Sequence, residues 1–94
     1  MDQEDRIQEN SRIPKYQQLI DNIIADIEEG ILKYGDKLPS INETSEDLYL
    51  SRDTVERAYK KLRDLGVIVA VRGKGYYITS VESLEKLKIL LMII

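Results

Sequence analysis

Cysteine and histidine are both absent from this 94-residue chain. Without cysteine there is no disulfide framework and no thiolate metal site, and the composition suits a reducing compartment. Without histidine the chain lacks the commonest general base and the commonest transition-metal ligand. Tryptophan and phenylalanine are missing too, so the core has to come from aliphatics and six tyrosines. Two prolines and five glycines are too few for a collagenous or low-complexity chain. Long apolar runs are also wanting. The longest, "ILLMII" at 89–94, falls far short of the roughly 20 residues of a membrane-spanning helix. The opening "MDQEDRIQEN" has no apolar centre of the kind a secretion signal carries. The carboxylate pairs Glu28-Glu29 and Glu46-Asp47 are sequence neighbours, which diverge on a helix instead of converging on a substrate. These features argue against an enzyme, and no cofactor, metal or membrane partner is expected. They leave one small domain with an ordinary 43% hydrophobic content.

The formal net charge of −3 is unevenly spread. Residues 1–50 hold 5 basic and 12 acidic groups, net −7, whereas residues 51–79 hold 7 basic and 3 acidic, net +4. With a Debye length of about 8 Å at physiological salt, a local basic face acts independently of an acidic total. A polyanionic partner is therefore compatible with the sequence, provided that the binding face is local.

The first dozen residues are polar and aperiodic and are expected to form a flexible terminus. From Pro14, the residues Tyr16, Leu19, Ile20, Ile23, Ile24 and Ile27 recur at helical spacing, and Gly30 is a natural stop. "ILKYGDKLP" (31–39) reads as a connector with a turn at Gly35-Asp36 and a short strand at Ile31-Leu32. Ser40 with Glu43 three residues on forms a capping box that starts a second helix. That helix is expected to run to about Leu48 and to bury Ile41 and Leu48, with Thr44 or Ser45 as further candidates. Ser51 caps a third helix, predicted from Arg52 to about Leu65, with Val55, Ala58, Tyr59, Leu62 and Leu65 on one face and Gly66 at its end. The β-branched run 67–72, the turn "GKG" (73–75) and "YYIT" (76–79) predict a hairpin. The fold class is thus mostly α with a small β-hairpin, an α+β arrangement of three helices followed by a two-stranded hairpin.

Two short helices joined by a tight turn place the N-terminus of the second at an outside surface, and in a helix-turn-helix this end reads the major groove. Ser51 either caps the helix or donates to phosphate. Arg52 can pair in bidentate fashion with guanine, and Thr54 can reach phosphate or a thymine methyl. Asp53, Glu56, Arg57, Lys60 and Arg63 lie off the apolar stripe. Arg72-Gly73-Lys74-Gly75 puts two cations at a hairpin tip suited to a phosphate backbone or a minor groove. Taken singly, these features have plainer readings. Ser40 and Ser51 are helix caps first, and Asp53–Arg57 and Glu56–Lys60 are expected as solvent-side i,i+4 pairs. Their order along the chain carries the double-stranded DNA reading, against the alternative of a winged-helix protein–protein interaction module.

From Pro14 to Thr79, about 66 of 94 residues, the chain resembles the winged helix-turn-helix domain of the GntR family of bacterial transcription regulators. The resemblance rests on "PKYQQLIDNIIADIEEGIL", "YGDKLPS", "LSRDTVERAYKKLRDLGVI" and "RGKGYYI". It implies a cytoplasmic, DNA-binding regulator acting as a homodimer on a palindromic operator, most often as a repressor. It assigns DNA contact to Ser40, Ser51, Arg52 and Thr54, a variable specificity position to Asp53, and the wing to Arg72, Gly73, Lys74 and Gly75. Asn42 and Glu56 stand where the family pattern usually has arginine, so the half-site preference is expected to differ. Arg57 is a candidate for compensation and Asn42 for reading adenine or phosphate.

The resemblance also implies that residues 13–80 form the DNA-binding domain. Residues 81–94 would then link to a dimerisation and effector-binding domain, where a small-molecule effector is expected. Within "SLEKLKILLMII", "KILLMII" could open that domain as a strand. The whole segment could equally form a helix with Leu84, Leu87, Leu90, Leu91 and Ile94 on one stripe. The dense aliphatic run favours the strand.

Overall fold

Aliphatic residues at helical spacing build the first layer of the molecule. The computed structural model describes residues 7–8, 12–79, 89–90 and 92. Helix α1 spans Lys15–Glu28, α2 Ile41–Leu48 and α3 Arg52–Asp64, followed by strands β1 (Ile68–Val71) and β2 (Gly75–Ile78). Pro14 sits at the N-cap of α1, where a residue without an N–H sacrifices no intrahelical bond, and its carbonyl accepts from Gln17 and Gln18. Both long helices end in the same way. Gly30 and Gly66 take φ of 78° and 77°, and the next residue returns its N–H to the helix, Ile31 to Asp26 at 2.8 Å and Val67 to Leu62 at 3.0 Å. This αL closure spares a side chain the cost of positive φ.

Helix α3 is the hub. Val55, Ala58 and Leu62 are fully buried and Tyr59 nearly so, against Leu19, Ile20, Ile23 and Ile27 of α1. Leu38, Leu50, Val67, Ile68 and Ile78 complete the core. Without tryptophan or phenylalanine, Tyr59 and Tyr76 supply the aromatic contact, edge to face at 4.9 Å. The two strands pair antiparallel with Ile68 opposite Ile78 and Val71 opposite Gly75. A turn closed by Lys74 N–H to the Val71 carbonyl joins them. Gly73 at φ 77° occupies its third position, where a type II turn requires positive φ.

Several expectations are corrected. Residues 1–12 are not free of the domain throughout, because Ile7 is buried in the core. The backbone of Gln8 is held by the buried Gln18 side chain, which accepts from Gln8 N–H at 2.6 Å and donates to its carbonyl at 3.0 Å and to that of Ile13 at 2.9 Å. Ile31 and Leu32 form no strand, since their N–H groups close α1. Strand-like pairing comes later, where Lys37 bridges Tyr77. In α2 the buried residue is Thr44, while Ile41 and Leu48 are half-buried. Leu65 leaves the apolar stripe as an exposed C-cap, one residue past the last full turn. The strand favoured for the tail is not seen where it is described: Ile89, Leu90 and Met92 are helical and exposed. The remaining residues of 1–12 and 81–94 lie outside the described set.

The hairpin is locked to the connector between α1 and α2. Gly35 N–H donates to the Ile78 carbonyl at 2.8 Å, Ile78 N–H to Asp36 at 2.9 Å, and Leu38 N–H to Tyr76 at 2.8 Å. Hairpin and helix pair therefore form one body.

Candidate nucleic-acid interface

Two serine caps set the N-termini of the helix pair. Ser40 Oγ accepts from Glu43 N–H at 3.1 Å while the Glu43 carboxylate accepts from Ser40 N–H at 3.2 Å. The backbone hydrogen bond from Ser40, helped by its side chain and the charge of Lys37, holds the Glu43 carboxyl below the usual carboxylate range. Ser51 Oγ accepts from Thr54 N–H at 3.1 Å and meets Thr54 Oγ1 at 2.8 Å. One hydroxyl proton closes that contact, and the other remains for an outside acceptor. Ser51 thus caps α3, and one hydroxyl of the Ser51–Thr54 pair keeps a free donor at the tip of the helix.

The turn between α2 and α3 closes on Tyr49, a non-glycine residue at φ 55°. Leu50 N–H returns to the Ser45 carbonyl at 3.0 Å and Ser45 Oγ donates to the Leu50 carbonyl, which holds the strained residue in place. Beneath the turn, Tyr59 donates its single proton to the Pro39 carbonyl at 2.8 Å. Its contact with Thr44 Oγ1 at 2.9 Å therefore has Thr44 as donor. Burial pushes the Tyr59 hydroxyl pKa up, keeping it neutral and able to donate. This network joins the entry of α2, its middle and α3.

The outward side of α3 sorts its charges. At about 100° per residue, Arg52, Asp53, Glu56 and Lys60 share an arc of about 100°, and Arg57 lies about 40° beyond its edge. All five are exposed. Arg57 turns toward α1, with its guanidinium 4.9 Å from the ring centre of Tyr16, a cation–π contact. Lys60 reaches Asp64 at 3.4 Å. The expected Asp53–Arg57 and Glu56–Lys60 pairs are thus replaced by these two contacts, which a helical wheel of α3 alone cannot foresee. With Arg63, which falls on the same arc farther along the helix and is also exposed, the arc carries three positive and two negative groups.

Asn42 is exposed in the first turn of α2, and Ser40 is exposed at its cap. At the wing, Arg72, Gly73 and Lys74 are exposed and Gly75 is half-buried. Gly75 has φ 121°, and a Cβ there would lie 3.0 Å from Lys37 Cε. The missing side chain lets Lys37 cross the base of the wing. Sequence reasoning missed Lys37 as a wing cation, because its position depends on pairing with Tyr77, forty residues away. A cleft between α1 and α2 has an apolar floor of Leu19, Ile23 and Leu48, with Asp26 and Asp47 also in its lining. Two carboxylates make it unsuited to a phosphate.

Comparison with known proteins agrees with this geometry. Residues 15–78 match the family described as "Bacterial regulatory proteins, gntR family". The HTH-type transcriptional repressor YtrA of Bacillus subtilis is 39% identical over 74 residues, which are 79% of this chain and 57% of that repressor. The chain therefore spans a little over half the length of that relative. A solved structure of YtrA from Sulfolobus acidocaldarius, a GntR-family transcription factor, is 40% identical and superposes with a TM-score of 0.76 over 92% of this chain and 90% of that one. The AraR DNA-binding domain in complex with operator ORX1 is 28% identical, with a TM-score of 0.71 over 78% of this chain and 92% of that one. A winged helix-turn-helix with this element order and this sequence match is a DNA-binding domain of a transcription regulator, and the chain belongs to the GntR family of bacterial regulatory proteins.

Proposed function

We propose that this chain reads a palindromic operator as a dimer, with the N-terminal turns of α3 in the major groove and the wing around Arg72 to Gly75 at the minor groove. Ser40, Asn42, Ser51, Thr54, Arg57 and Lys74 contribute contacts to phosphate or base edges around the reading residues Arg52 and Asp53. The regulator acts in the cytoplasm, as a repressor that releases DNA on binding a small-molecule effector at a site outside the winged helix. The repressor among its relatives and the operator complex of the AraR domain support this reading.

The observation that carries it is the contrast between the two sides of α3. Its underside is sealed, with Val55, Ala58 and Leu62 at 0% exposure, while Ser51, Arg52, Asp53 and Glu56 stand exposed at its N-terminal end. A helix supported in this way presents its free N–H groups and positive dipole end to an anion without unfolding anything.

The deciding experiment is selection from a random-sequence duplex pool over a range of salt, with sequencing of the retained DNA. A two-fold symmetric consensus and steep salt dependence are expected. Retention without a consensus would reduce the chain to a backbone binder. No retention at low salt would replace this reading with a winged-helix module for a protein partner.

A further inference from the structure

The outward arc of α3 carries Arg52, Lys60 and Arg63 beside Asp53 and Glu56, and Glu56 is the unusual member of it. Its neighbours on the helix have other contacts. Lys60, one turn on, pairs with Asp64 at 3.4 Å, and Arg57 lies over Tyr16. Among the described residues no salt bridge forms to Glu56, whose side chain is exposed on the same arc as Arg52. An ionised carboxylate offers only acceptors. Facing a phosphate it would repel, whereas facing a base edge it needs an amino donor. Cytosine presents N4–H₂ in the major groove with no acceptor of its own beside it. Adenine presents N6–H₂ next to the N7 lone pair, and guanine and thymine present acceptors at the corresponding place.

We infer that Glu56 is a specificity-determining residue that selects cytosine at one position of each half-site, by accepting a hydrogen bond from its amino group. This rests on the operator-reading proposal. Glu56 stands one turn after Arg52, about 6 Å along the helix axis, which is about two steps of the roughly 3.4 Å base-pair rise. The half-site therefore contains a guanine read by Arg52 and, within about two base pairs, a cytosine read by Glu56. Attraction to phosphate is left to cations outside the arc, Lys37, Arg72 and Lys74 among them. The carboxylate adds discrimination at the cost of non-specific affinity.

The test is duplex selection with the wild type, Glu56→Gln and Glu56→Ala in parallel. Glutamine keeps the length and adds a donor, so it suits adenine N7 and N6. The expected result is one consensus position that changes from cytosine in the wild type to adenine with Glu56→Gln. The same position should lose its preference with Glu56→Ala, by on the order of tenfold. The other consensus positions should not move. A consensus identical in all three proteins, with affinity raised evenly by the two variants, would overturn the inference and place Glu56 near the backbone, leaving operator reading intact. A wild type that enriches no consensus would remove operator reading itself and this inference with it.

Discussion

The hydroxyls of Thr44 and Tyr59 meet at 2.9 Å across 15 residues of sequence, and the same tyrosine hydroxyl reaches the Pro39 carbonyl at 2.8 Å. One side chain of α3 thereby fixes the position of α2. Tyr59→Phe keeps the ring and its edge contact with Tyr76 but leaves a buried threonine hydroxyl and a carbonyl without this partner. It should lower stability by about 1–3 kcal/mol, read as a lower urea midpoint with an unchanged slope. Thr44→Val should cost less, since it removes a hydroxyl whose bond to Tyr59 is only one of the two.

The Gln18 clamp gives a second prediction. Gln18→Leu has similar volume and loses three hydrogen bonds to the backbone of Gln8 and Ile13. The segment around Ile7 should detach from the core, with faster amide exchange at Gln8 and a loss of about 1–3 kcal/mol. Ile7→Ala should produce the same release. An unchanged exchange rate in both variants would show that Ile7 adds nothing to the fold.

Arg52 and Lys74 should fail differently. Arg52→Ala is expected to cost about 1–3 kcal/mol at one base pair and to relax specificity there. Lys74→Ala should weaken binding to all sequences and reduce the salt slope by about one. Filter binding of specific and random duplexes at several salt concentrations separates the two.

The capping box of α2 makes stability sensitive to acid. The Glu43 carboxyl has a lower pKa in the folded protein than its ordinary value. The native state therefore binds its proton less readily than the unfolded state does. Its contribution is complete above the ordinary carboxylate pKa and is lost as the pH falls through the lowered folded value. Glu43→Gln keeps a hydrogen-bonding side chain but cannot titrate. The difference in denaturation midpoint between wild type and variant should shrink as the pH falls through that window.

The helices and the hairpin were legible in the sequence because each carries its own punctuation. Pro14, Ser40, Ser51, Gly30 and Gly66 mark ends whose hydrogen bonds are made within a few residues. The exposed arc of α3 was legible as well, since it follows from the buried stripe by rotation. What could not be read depends on partners far along the chain. Nothing in the sequence marks Gln18 as buried, because its partners lie in the segment around Gln8. The contact of Arg57 with Tyr16 depends on how α1 packs beside α3, which neither segment shows alone. Tyr49 carries no sign of positive φ, because the helix-turn-helix imposes it from both sides.

The backbone bonds from Gly35, Ile78 and Leu38 that fasten the hairpin to the connector make the molecule a caliper with its jaws already set. A duplex gripped by helix and hairpin together meets a gap that does not adjust, so the adjustment falls on the DNA. Sequences that narrow or bend cheaply at the hairpin, such as those with flexible pyrimidine–purine steps, pay less deformation energy. The operator would then be written partly in bases that no side chain touches.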